Sequence, residues 1–401
     1  MKSEYFIKKI KSLIEKGEVD VATKLLTKVE QTATINPQLH SLKLELQKEY
    51  IISEMDNVPI RGKYPNVLFG TMEIAGQLNL YSKALNNLGG HSRVLNYYPN
   101  YLSYNSDYTY DVLSNVDSSS VLDHTREITE KAIEKFDIFH FMFNTTLMPD
   151  HSDLPILKKA GKKIFMHNVG SDIRRYSIAK KFNKYNVAKN SDEEQIVKKL
   201  EYLSSYIDHV IVADAELYEY VNTFYKNIHF VRQPIDLTQY LTSNTFTYRK
   251  NKPVIVHAPT SVLKGTKYIN QAINELKIEY DFDFQLVHNK PHSEAKLMYQ
   301  NADIVIDQIL TGSHGTFALE VMSMNKPVIC YINDYMKDFY PKELPIISAV
   351  PTNIKAVLES LIQNYELRKE IGLKGRSYVQ QYHDVNKVSK QLLDIYMQNY
   401  N

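Results

Sequence analysis

Short apolar runs alternate with amphipathic segments from about Tyr64 to the end of the chain. Ten of these runs predict strands, at 66–69, 93–97, 138–143, 163–167, 209–213, 229–232, 254–257, 284–287, 304–306 and 328–331. Helical periodicity predicts helices that include 77–88, 353–364, 366–371 and 385–400. Strands that alternate with helices form parallel sheets covered on both faces, so the pattern predicts an α/β fold with doubly wound sheets. Ligands of such sheets bind at the carboxyl ends of strands, where Gly76, His140 and His167 are expected.

Residues 1–60 show helical periodicity only. Apolar residues recur at helical spacing on both sides of Gly17, and a third helix is expected from about Pro37. This all-helical extension resembles a single tetratricopeptide-type unit. One such unit cannot bury its apolar face alone, so it must pack on the main body or on another chain. A homo-oligomer or a partner protein held through residues 1–60 is therefore an open alternative.

Composition narrows the class of protein. The 401 residues are enough for two or three domains, and 48 basic side chains against 46 acidic ones leave a net charge of +2. This balance gives no reason to expect a nucleic-acid partner. The single cysteine, Cys330, excludes a disulfide framework, and no apolar run reaches membrane-spanning length. The expected location is cytoplasmic. Any membrane contact is expected to be peripheral, at the inner face, through the cluster of Lys8, Lys9 and Lys11.

The segment 302–331 carries the strongest chemical signal. A buried strand leads into a small polar loop at 311–315 and then into a helix that opens at Thr316, which is expected to cap it. Free amides at such a helix start suit a diphosphate, and Glu320 lies one turn further on, where a ribose hydroxyl can reach it. The alternative is an ordinary strand–loop–helix core with a solvated glutamate.

Four segments resemble GT-B glycosyltransferases of the large retaining group called family four. They are NVLFGTMEIAGQLNLYSKALNNLGGHSRV, KKIFMHNVGSDIRR, VIVHAPTSVLKGTKYI, and ADIVIDQIL with GTFALEVMSMNKPVICYI. The resemblance covers about residues 64–395 and implies two Rossmann-like domains that face a cleft. The implied domains are an acceptor-side domain at 61–236 and a nucleotide-sugar domain at 237–384, with the C-terminal helix 385–401 packed back on the first. The helical extension 1–60 lies outside the resemblance.

The resemblance implies donor contacts in the second domain. Lys264 matches the lysine that contacts the donor diphosphate, although the arginine that usually precedes it is missing. Glu320 matches the glutamate that binds the donor ribose, whereas the other glutamate of the pair is replaced by Gly312. The sugar is therefore left to backbone groups or to His314. Gly315, Thr316 and Phe317 match the backbone donors to the diphosphate. His257 either lines the donor pocket or belongs to the core.

The match in the first domain is looser. Gly76 stands where the family's glycine-rich loop approaches phosphate and acceptor. His167 precedes Gly170-Ser171-Asp172 by two positions more than the family's catalytic-site histidine, so it is either catalytic or a buried strand-end histidine. Asp172 and Arg174 either orient acceptor and sugar or form a local ion pair.

The implied reaction moves a sugar from a nucleotide-diphosphate donor to a hydroxyl of a glycan, lipid-linked or protein acceptor in bacterial glycan or polysaccharide synthesis. Retention of the anomeric configuration is expected, with neither a cofactor nor a metal ion, since Lys264 supplies the positive charge at the leaving diphosphate. A degenerate GT-B protein that binds glycans or regulates another glycosyltransferase is the main alternative. A sugar-nucleotide epimerase of similar fold is a weaker alternative, because the acids that it would need are not found. A nicotinamide-dependent oxidoreductase is weaker still, because its Gly-x-Gly-x-x-Gly motif is not found.

Overall fold

The computed structural model describes residues 2–30, 37–60, 62–99, 104–113, 118–186, 192–240, 248–259, 261–288, 290 and 292–400. It divides into two compact units. Unit 1 comprises Met1–Asn168, Tyr202–Ile211 and Leu392–Asn401, and unit 2 comprises Val169–Glu201 and Val212–Gln391. The predicted division at residues 60, 236 and 384 groups the chain differently and stays a prediction.

All the strands predicted from the sequence are present, with ends shifted by one to two residues in most cases. The strands are β1 (Asn66–Thr71), β2 (His91–Asn96), β3 (Tyr108–Thr109), β4 (Ile138–Met142), β5 (Lys163–His167), β6 (His209–Val212), β7 (Asn227–Phe230), β8 (Val254–His257), β9 (Asp283–Leu286), β10 (Ile304–Ile306) and β11 (Val328–Ile329). Strand β3 was missed because it is only two residues long.

The helices account for most of the remaining described residues. They are α1 (Lys2–Glu15), α2 (Val19–Glu30), α3 (Pro37–Asp56), α4 (Gln77–Asn87), α5 (Ser118–Lys135), α6 (Asp153–Lys159), α7 (Tyr176–Phe182), α8 (Glu193–Tyr206), α9 (Ala215–Val221), α10 (Thr266–Leu276), α11 (His292–Gln300), α12 (Thr316–Ser323), α13 (Asp334–Lys337), α14 (Ile354–Gln363), α15 (Tyr365–Tyr382) and α16 (Val385–Tyr400). None of the described helices is long and apolar enough to span a lipid bilayer.

Unit 1 is built on a parallel sheet in which the strands run in the order β3-β2-β1-β4-β5-β6. Every residue of β1 and β4 is buried, as expected for central strands with helices on both faces. His140 therefore lies in the middle of β4, one strand away from His167 at the end of β5. The prediction that His140 marks a strand end is wrong, whereas its alternative interpretation as a core histidine agrees with its complete burial and with contacts at both ring nitrogens.

The N-terminal helices pack on this sheet domain. Helices α1 to α3 share a small apolar core that includes Ile10, Ala22 and Leu42. Helix α3 then packs on α5, where the ammonium of Lys48 lies 2.8 Å from Glu127 of α5 and 2.8 Å from Glu45 of its own helix. The apolar face that a lone helical unit cannot satisfy is thus covered within unit 1. An oligomeric contact through these helices stays a prediction.

Unit 2 contains a second parallel sheet, with strand order β11-β10-β8-β9. Helix α10 buries Ile269, Ala272, Ile273 and Leu276, a spacing that places all four on one face. These residues join Ile255 and Ile304 of the strands in one core cluster.

Helix α15 extends eleven residues beyond the predicted C-terminal end at Ile371. The predicted helix ends at Ile371, directly before Gly372. In the structure the helix continues to Tyr382 and packs against α12. A Cβ atom on Gly375 would lie 3.1 Å from Met322 of α12, and one on Gly372 would collide with the Asn325 carbonyl. The two glycines therefore serve close helix packing, which local propensity does not reveal.

Candidate functional site

The corner between β10 and α12 has an open helix start. Gly315 is the N-cap residue, in an extended conformation with φ −110°, and no side chain caps the helix from this position. The prediction that Thr316 caps the helix is wrong, since Thr316 is already the first helical residue. The first amides of an α-helix have no partner within the helix, and the peptide dipoles add partial positive charge there. The corner is consequently suited to an anionic group.

Lys264 lies at the same corner. It ends a short 3-10 turn at Val262–Lys264, and its ammonium is 5.5 Å from the ring centroid of Phe317, the second residue of α12. The ammonium also forms an ion pair with Asp307, which follows β10 and is fully buried. The second carboxylate oxygen of Asp307 has no hydrogen-bond partner among the described residues. The tertiary structure thus brings together a cation, its counter-charge and a helix N-terminus.

Glu320 lies one turn into α12 and is half-buried. Its negative charge acts on Tyr299 and Lys296 of α11. Burial is the larger influence on Lys296 and lowers its pKa, while the charge of Glu320 opposes this shift. Tyr299 packs edge-on against Phe317, with ring centroids 4.9 Å apart. Helix α11 therefore supports the side of α12 that carries Glu320.

Gly312 is fixed by its surroundings. Its φ of +90° is in the left-handed region, and a Cβ atom would lie 3.1 Å from Cβ of Asn333 and 3.2 Å from Nδ2 of Asn183. Asn183 donates to the carbonyls of Leu310 and Thr311 at 2.7 and 2.9 Å. A side chain at this position would strain a backbone with positive φ and would push its neighbours aside, so both effects disfavour the glutamate that the resemblance would place here.

His314 is almost completely buried, and its ring stacks on Tyr340 with centroids 4.6 Å apart. Neither ring nitrogen has a hydrogen-bond partner among the described residues. Burial lowers the pKa of His314 to about 4, so the ring is neutral near pH 7. The side chain lines a cavity whose walls include neither Lys264 nor Glu320. The geometry therefore separates the His314 ring from the corner at Lys264.

His257 occupies a structural position. Its Nδ1 lies 2.9 Å from the Ile306 carbonyl and its Nε2 lies 3.0 Å from the hydroxyl of Thr266. These two contacts connect β8 with β10 and with α10. The residue is fully buried, and burial lowers its pKa to about 4. With both nitrogens occupied, the core interpretation of His257 is the one that the geometry favours.

His167 belongs to a buried chain of polar groups in unit 1. Its Nδ1 is 3.3 Å from Nε2 of His140, and Nδ1 of His140 is 2.5 Å from the hydroxyl of Tyr396 in α16. Burial lowers the pKa of His167 to about 3. These contacts tie the C-terminal helix to β4 and β5 and are those of a buried strand-end histidine.

The loop at Gly76 contains a carboxylate that the sequence did not single out. Gly76 is the N-cap of α4 with φ +70°, and the Glu73 carboxylate accepts hydrogen bonds from the amides of Leu78 and Asn79 at 3.1 and 2.9 Å. Glu73 is buried, and burial raises its pKa to about 8. The amides that a phosphate would need at this helix are already occupied.

Asp172 and Arg174 do not pair with each other. Asp172 accepts hydrogen bonds from the amides of Val169 and Gly170 at 3.2 and 2.7 Å and so shapes its own loop. Arg174 instead forms a two-pronged contact with Glu216 of α9, at 2.8 Å from Nε and 2.7 Å from Nη2. The alternative prediction, a local ion pair between Asp172 and Arg174, is therefore wrong. Among the described residues, no group of three or more His, Cys, Asp or Glu side chains is placed to hold a metal ion.

The residues that sequence reasoning missed are Asp307, Glu216 and Glu73. Asp307 had a visible signal, since it is an acid directly after a buried apolar strand. Glu216 and Glu73 had none, because their partners are distant in sequence or are backbone amides.

Several solved structures have the same fold as this chain. Sucrose-phosphate synthase from Thermosynechococcus elongatus matches with a TM-score of 0.59 and 14% identity, covering 84% of this chain and 99% of that one. Anabaena HepE, solved with UDP and glucose, matches with a TM-score of 0.56 and 12% identity, covering 84% and 100%. UDP-GlcNAc 2-epimerase from Neisseria meningitidis, bound to UDP-GlcNAc, matches with a TM-score of 0.53 and 14% identity, covering 83% and 99%.

These matches show that the chain has the GT-B fold, and that prediction is confirmed. At such low sequence identity the likeness concerns the fold alone. No protein-family model matches the sequence, and a search of curated proteins found no match.

Proposed function

We propose that the protein is a glycosyltransferase that moves a sugar from a nucleotide-diphosphate donor to a hydroxyl acceptor. The observation that carries the proposal is the position of the Lys264 ammonium over Phe317, at the uncapped start of α12. Breaking the bond between sugar and phosphate leaves negative charge on the diphosphate. A lysine and helix amides fixed in advance stabilise that charge as it develops.

Two further observations support this function. Glu320 lies one turn beyond the same helix start and provides a carboxylate for ribose hydroxyls. Proteins of the same fold, HepE and the epimerase, have been solved with UDP or a UDP-sugar, so a uridine diphosphate donor is the first to test. An ammonium has three N–H donors, so Lys264 can hold Asp307 and a phosphate oxygen together.

The finer features of the proposal are retention of the anomeric configuration and independence from metal ions. In this scheme the acceptor hydroxyl attacks from the side that the diphosphate leaves, and a phosphate oxygen takes its proton. Lys264 supplies the charge that a divalent cation would otherwise provide. The acceptor is a glycan, a lipid-linked glycan or a protein in bacterial glycan synthesis.

A degenerate GT-B protein that binds glycans or regulates another glycosyltransferase, without sugar transfer of its own, is the second candidate. The observation in its favour is Gly312, where a positive φ and close contacts with Asn333 and Asn183 disfavour a glutamate. A protein of this kind would keep donor affinity and lack turnover.

The test is donor turnover by wild type and by Lys264→Ala and Glu320→Ala, with Lys267→Ala as the matched control. Lys267 is an exposed lysine three residues from Lys264. Removing one group that stabilises transition-state charge costs roughly 100-fold to 1,000-fold in rate, so we expect that loss for Lys264→Ala and almost none for Lys267→Ala. Unchanged rates in both site variants reject the assignment.

Product analysis separates the candidates. Transfer gives a product with the mass of acceptor plus sugar, and its anomeric proton coupling reports retention or inversion. A sugar nucleotide with unchanged mass and altered configuration indicates an epimerase instead. Thermal stabilisation by UDP without turnover of any donor indicates the degenerate binder. Activity that EDTA abolishes contradicts metal independence.

A further inference from the structure

Asp307 is the buried acid of the corner between β10 and α12. It follows β10 directly, and its side chain is completely buried. Its amide donates a hydrogen bond to the Ile329 carbonyl of β11 at 2.8 Å, so the pairing of the two strands continues up to this residue. The carboxylate is therefore placed by the end of the sheet and not by a surface loop.

The backbone of Lys264 is attached to the same segment. The Lys264 carbonyl accepts a hydrogen bond from the amide of Ile309 at 3.3 Å, two residues beyond Asp307. The following residue, Gly265, has φ +76°, and a Cβ atom there would lie 2.4 Å from the Ile309 side chain. This close approach fixes where the Lys264 side chain begins. It does not fix where the ammonium lies, because a flexible four-carbon stem separates the two.

The position of the ammonium is set by Asp307. Nζ of Lys264 forms an ion pair with Oδ1 of Asp307 and lies over the ring of Phe317, 5.5 Å from its centroid. The Lys264 side chain is 12% exposed in this position, whereas a lysine without a buried partner normally extends its ammonium into water. An ammonium has three N–H donors, and the two that Asp307 does not use can contact an anion at the first amides of α12.

Stability alone does not account for an acid at this position. Among the residues that the structure describes, Oδ2 of Asp307 has no hydrogen-bond partner, so the compensation for its buried charge comes from Lys264. Buried ion pairs can often be replaced by apolar residues of similar volume without loss of stability, whereas removal of one partner is strongly destabilising. A pair that folding does not require, at a helix start suited to an anion, indicates a role in binding.

We propose that Asp307 is a positioning residue of the donor site, which holds the Lys264 ammonium over Phe317 at the start of α12, where it meets the diphosphate. The inference rests on the proposed function for the identity of the ligand. The position of the lysine can nevertheless be measured without any ligand.

The first measurement is ¹H–¹³C NMR of the full chain labelled with ¹³C-lysine. Protons beside an ammonium that lies over an aromatic face are shifted upfield by the ring current. Lys264→Ala assigns the signal, and Phe317→Leu should abolish its upfield shift. We expect Asp307→Leu to move the signal to the position of an exposed lysine such as Lys267. Asp307→Asn should retain most of the upfield shift, because an acceptor oxygen remains. An unchanged signal in Asp307→Leu overturns the inference.

The second measurement is the affinity for inorganic pyrophosphate, by calorimetry. Asp307→Leu should weaken binding roughly tenfold, the equivalent of about one hydrogen bond to a charged group, and Asp307→Asn should stay within about threefold of wild type. In the Lys264→Ala background Asp307→Leu should have almost no further effect, because the acid acts through the lysine. Tighter binding by Asp307→Leu would mean instead that the acid competes with phosphate for the ammonium, which contradicts a positioning role.

Asp303 provides the matched control. It is also a completely buried acid, at the opposite end of β10, where it pairs with Arg249 and accepts from the Val254 amide at 2.8 Å. Asp303→Asn should lower the urea midpoint and leave the pyrophosphate affinity unchanged. An equal loss of affinity in Asp303→Asn and Asp307→Leu would show that any damage to this strand weakens binding, and Asp307 would then have no specific role.

A double variant separates positioning from folding. Lys264→Met combined with Asp307→Leu removes both charges and should keep the urea midpoint of wild type or exceed it, while pyrophosphate binding is lost. A midpoint far below that of wild type would assign the pair to stability and reject the inference. If Asp307→Leu alone does not fold, Asp307→Ser takes its place in both measurements.

The two proposals can fail separately. Donor turnover by wild type, together with an unchanged Lys264 signal in Asp307→Leu, contradicts only the positioning role. Lysine signals and pyrophosphate affinities that respond as expected, without turnover of any donor, contradict only the transferase. A wild-type protein that does not bind pyrophosphate contradicts both.

Discussion

Two strand–loop–helix corners of this protein have the same backbone arrangement but differ in whether a side chain accepts hydrogen bonds from the first amides of the helix. In unit 1, β1 leads through a loop to α4, whose N-cap is Gly76, and the Glu73 carboxylate fills the first-turn amides. In unit 2, β10 leads through a loop to α12, whose N-cap is Gly315, and no side chain at this position accepts from the amides. Both starts carry the same partial positive charge.

The difference teaches where an anion can bind. A helix start whose amides already donate to the carboxyl group of its own Glu73 would have to give up those bonds to accept a phosphate. The α12 start requires no such exchange, and Lys264 adds a full positive charge over Phe317. We therefore expect the diphosphate at α12 and a structural role for the Gly76 loop.

The largest expected effect comes from giving the start of α12 an acidic side chain, as the start of α4 has in Glu73. Gly315→Asp places a carboxylate at the N-cap, where the extended backbone and open space around the residue accept a side chain. Asp at this position would bond the free amides and repel the donor, so we expect roughly 100-fold weaker UDP binding by calorimetry, since like charges in contact cost several kcal/mol.

Gly315→Ala is the matched control for that change. It adds a Cβ atom without a charge or an acceptor, so UDP affinity should change by less than about threefold. Equal losses in both variants would show that bulk, and not the occupied amides, is responsible.

The converse change removes the acidic side chain of Glu73 from the start of α4. Glu73→Ala leaves two amides of a buried helix start without a partner and should lower the free energy of unfolding by about 1–3 kcal/mol, measured by urea denaturation. Glu73→Gln keeps an acceptor oxygen and should lose less. UDP affinity should be unaffected in both, and a marked loss there would contradict a purely structural role.

The pH dependence of stability sharpens the same contrast. Burial raises the pKa of Glu73 from 4.5 to about 8, so the folded state holds a proton that the unfolded state releases. Its contribution is fully present below pH 4.5 and is lost as the pH rises towards 8, with a slope of at most about 1.4 kcal/mol per pH unit. Urea midpoints of wild type should therefore fall relative to those of Glu73→Gln across this window. Parallel curves would exclude a raised pKa.

The smallest expected effect concerns Thr316. Because Gly315 and not Thr316 caps α12, the Thr316 hydroxyl is not required at the helix start. Thr316→Ala should change the free energy of unfolding by less than about 0.5 kcal/mol. It should also change UDP affinity by less than about threefold, because backbone amides are retained. A cost of about 1 kcal/mol or more would restore Thr316 as a cap.

How much the sequence reveals depends on the range of the interaction. Apolar runs such as 304–306 and the helical periodicity at 353–364 are local patterns, and they predicted β10 and α14 to within one residue. The alternatives for single residues were not resolved in this way. His257 has the same sequence signal as a pocket histidine, and only contacts with Ile306 and Thr266 place it in the core.

The sequence by itself determined the α/β class and most of the strands and helices, because periodicity and turn residues act over a few positions. The GT-B fold was expected from the resemblance of four segments to that group. Tertiary structure alone decided which charges meet. Asp307 pairs with Lys264 across 43 residues, Glu216 pairs with Arg174 across 42, and close packing around Gly312 disfavours a larger side chain. Charge pairing and steric exclusion depend on distances in space, and no spacing along a chain encodes them.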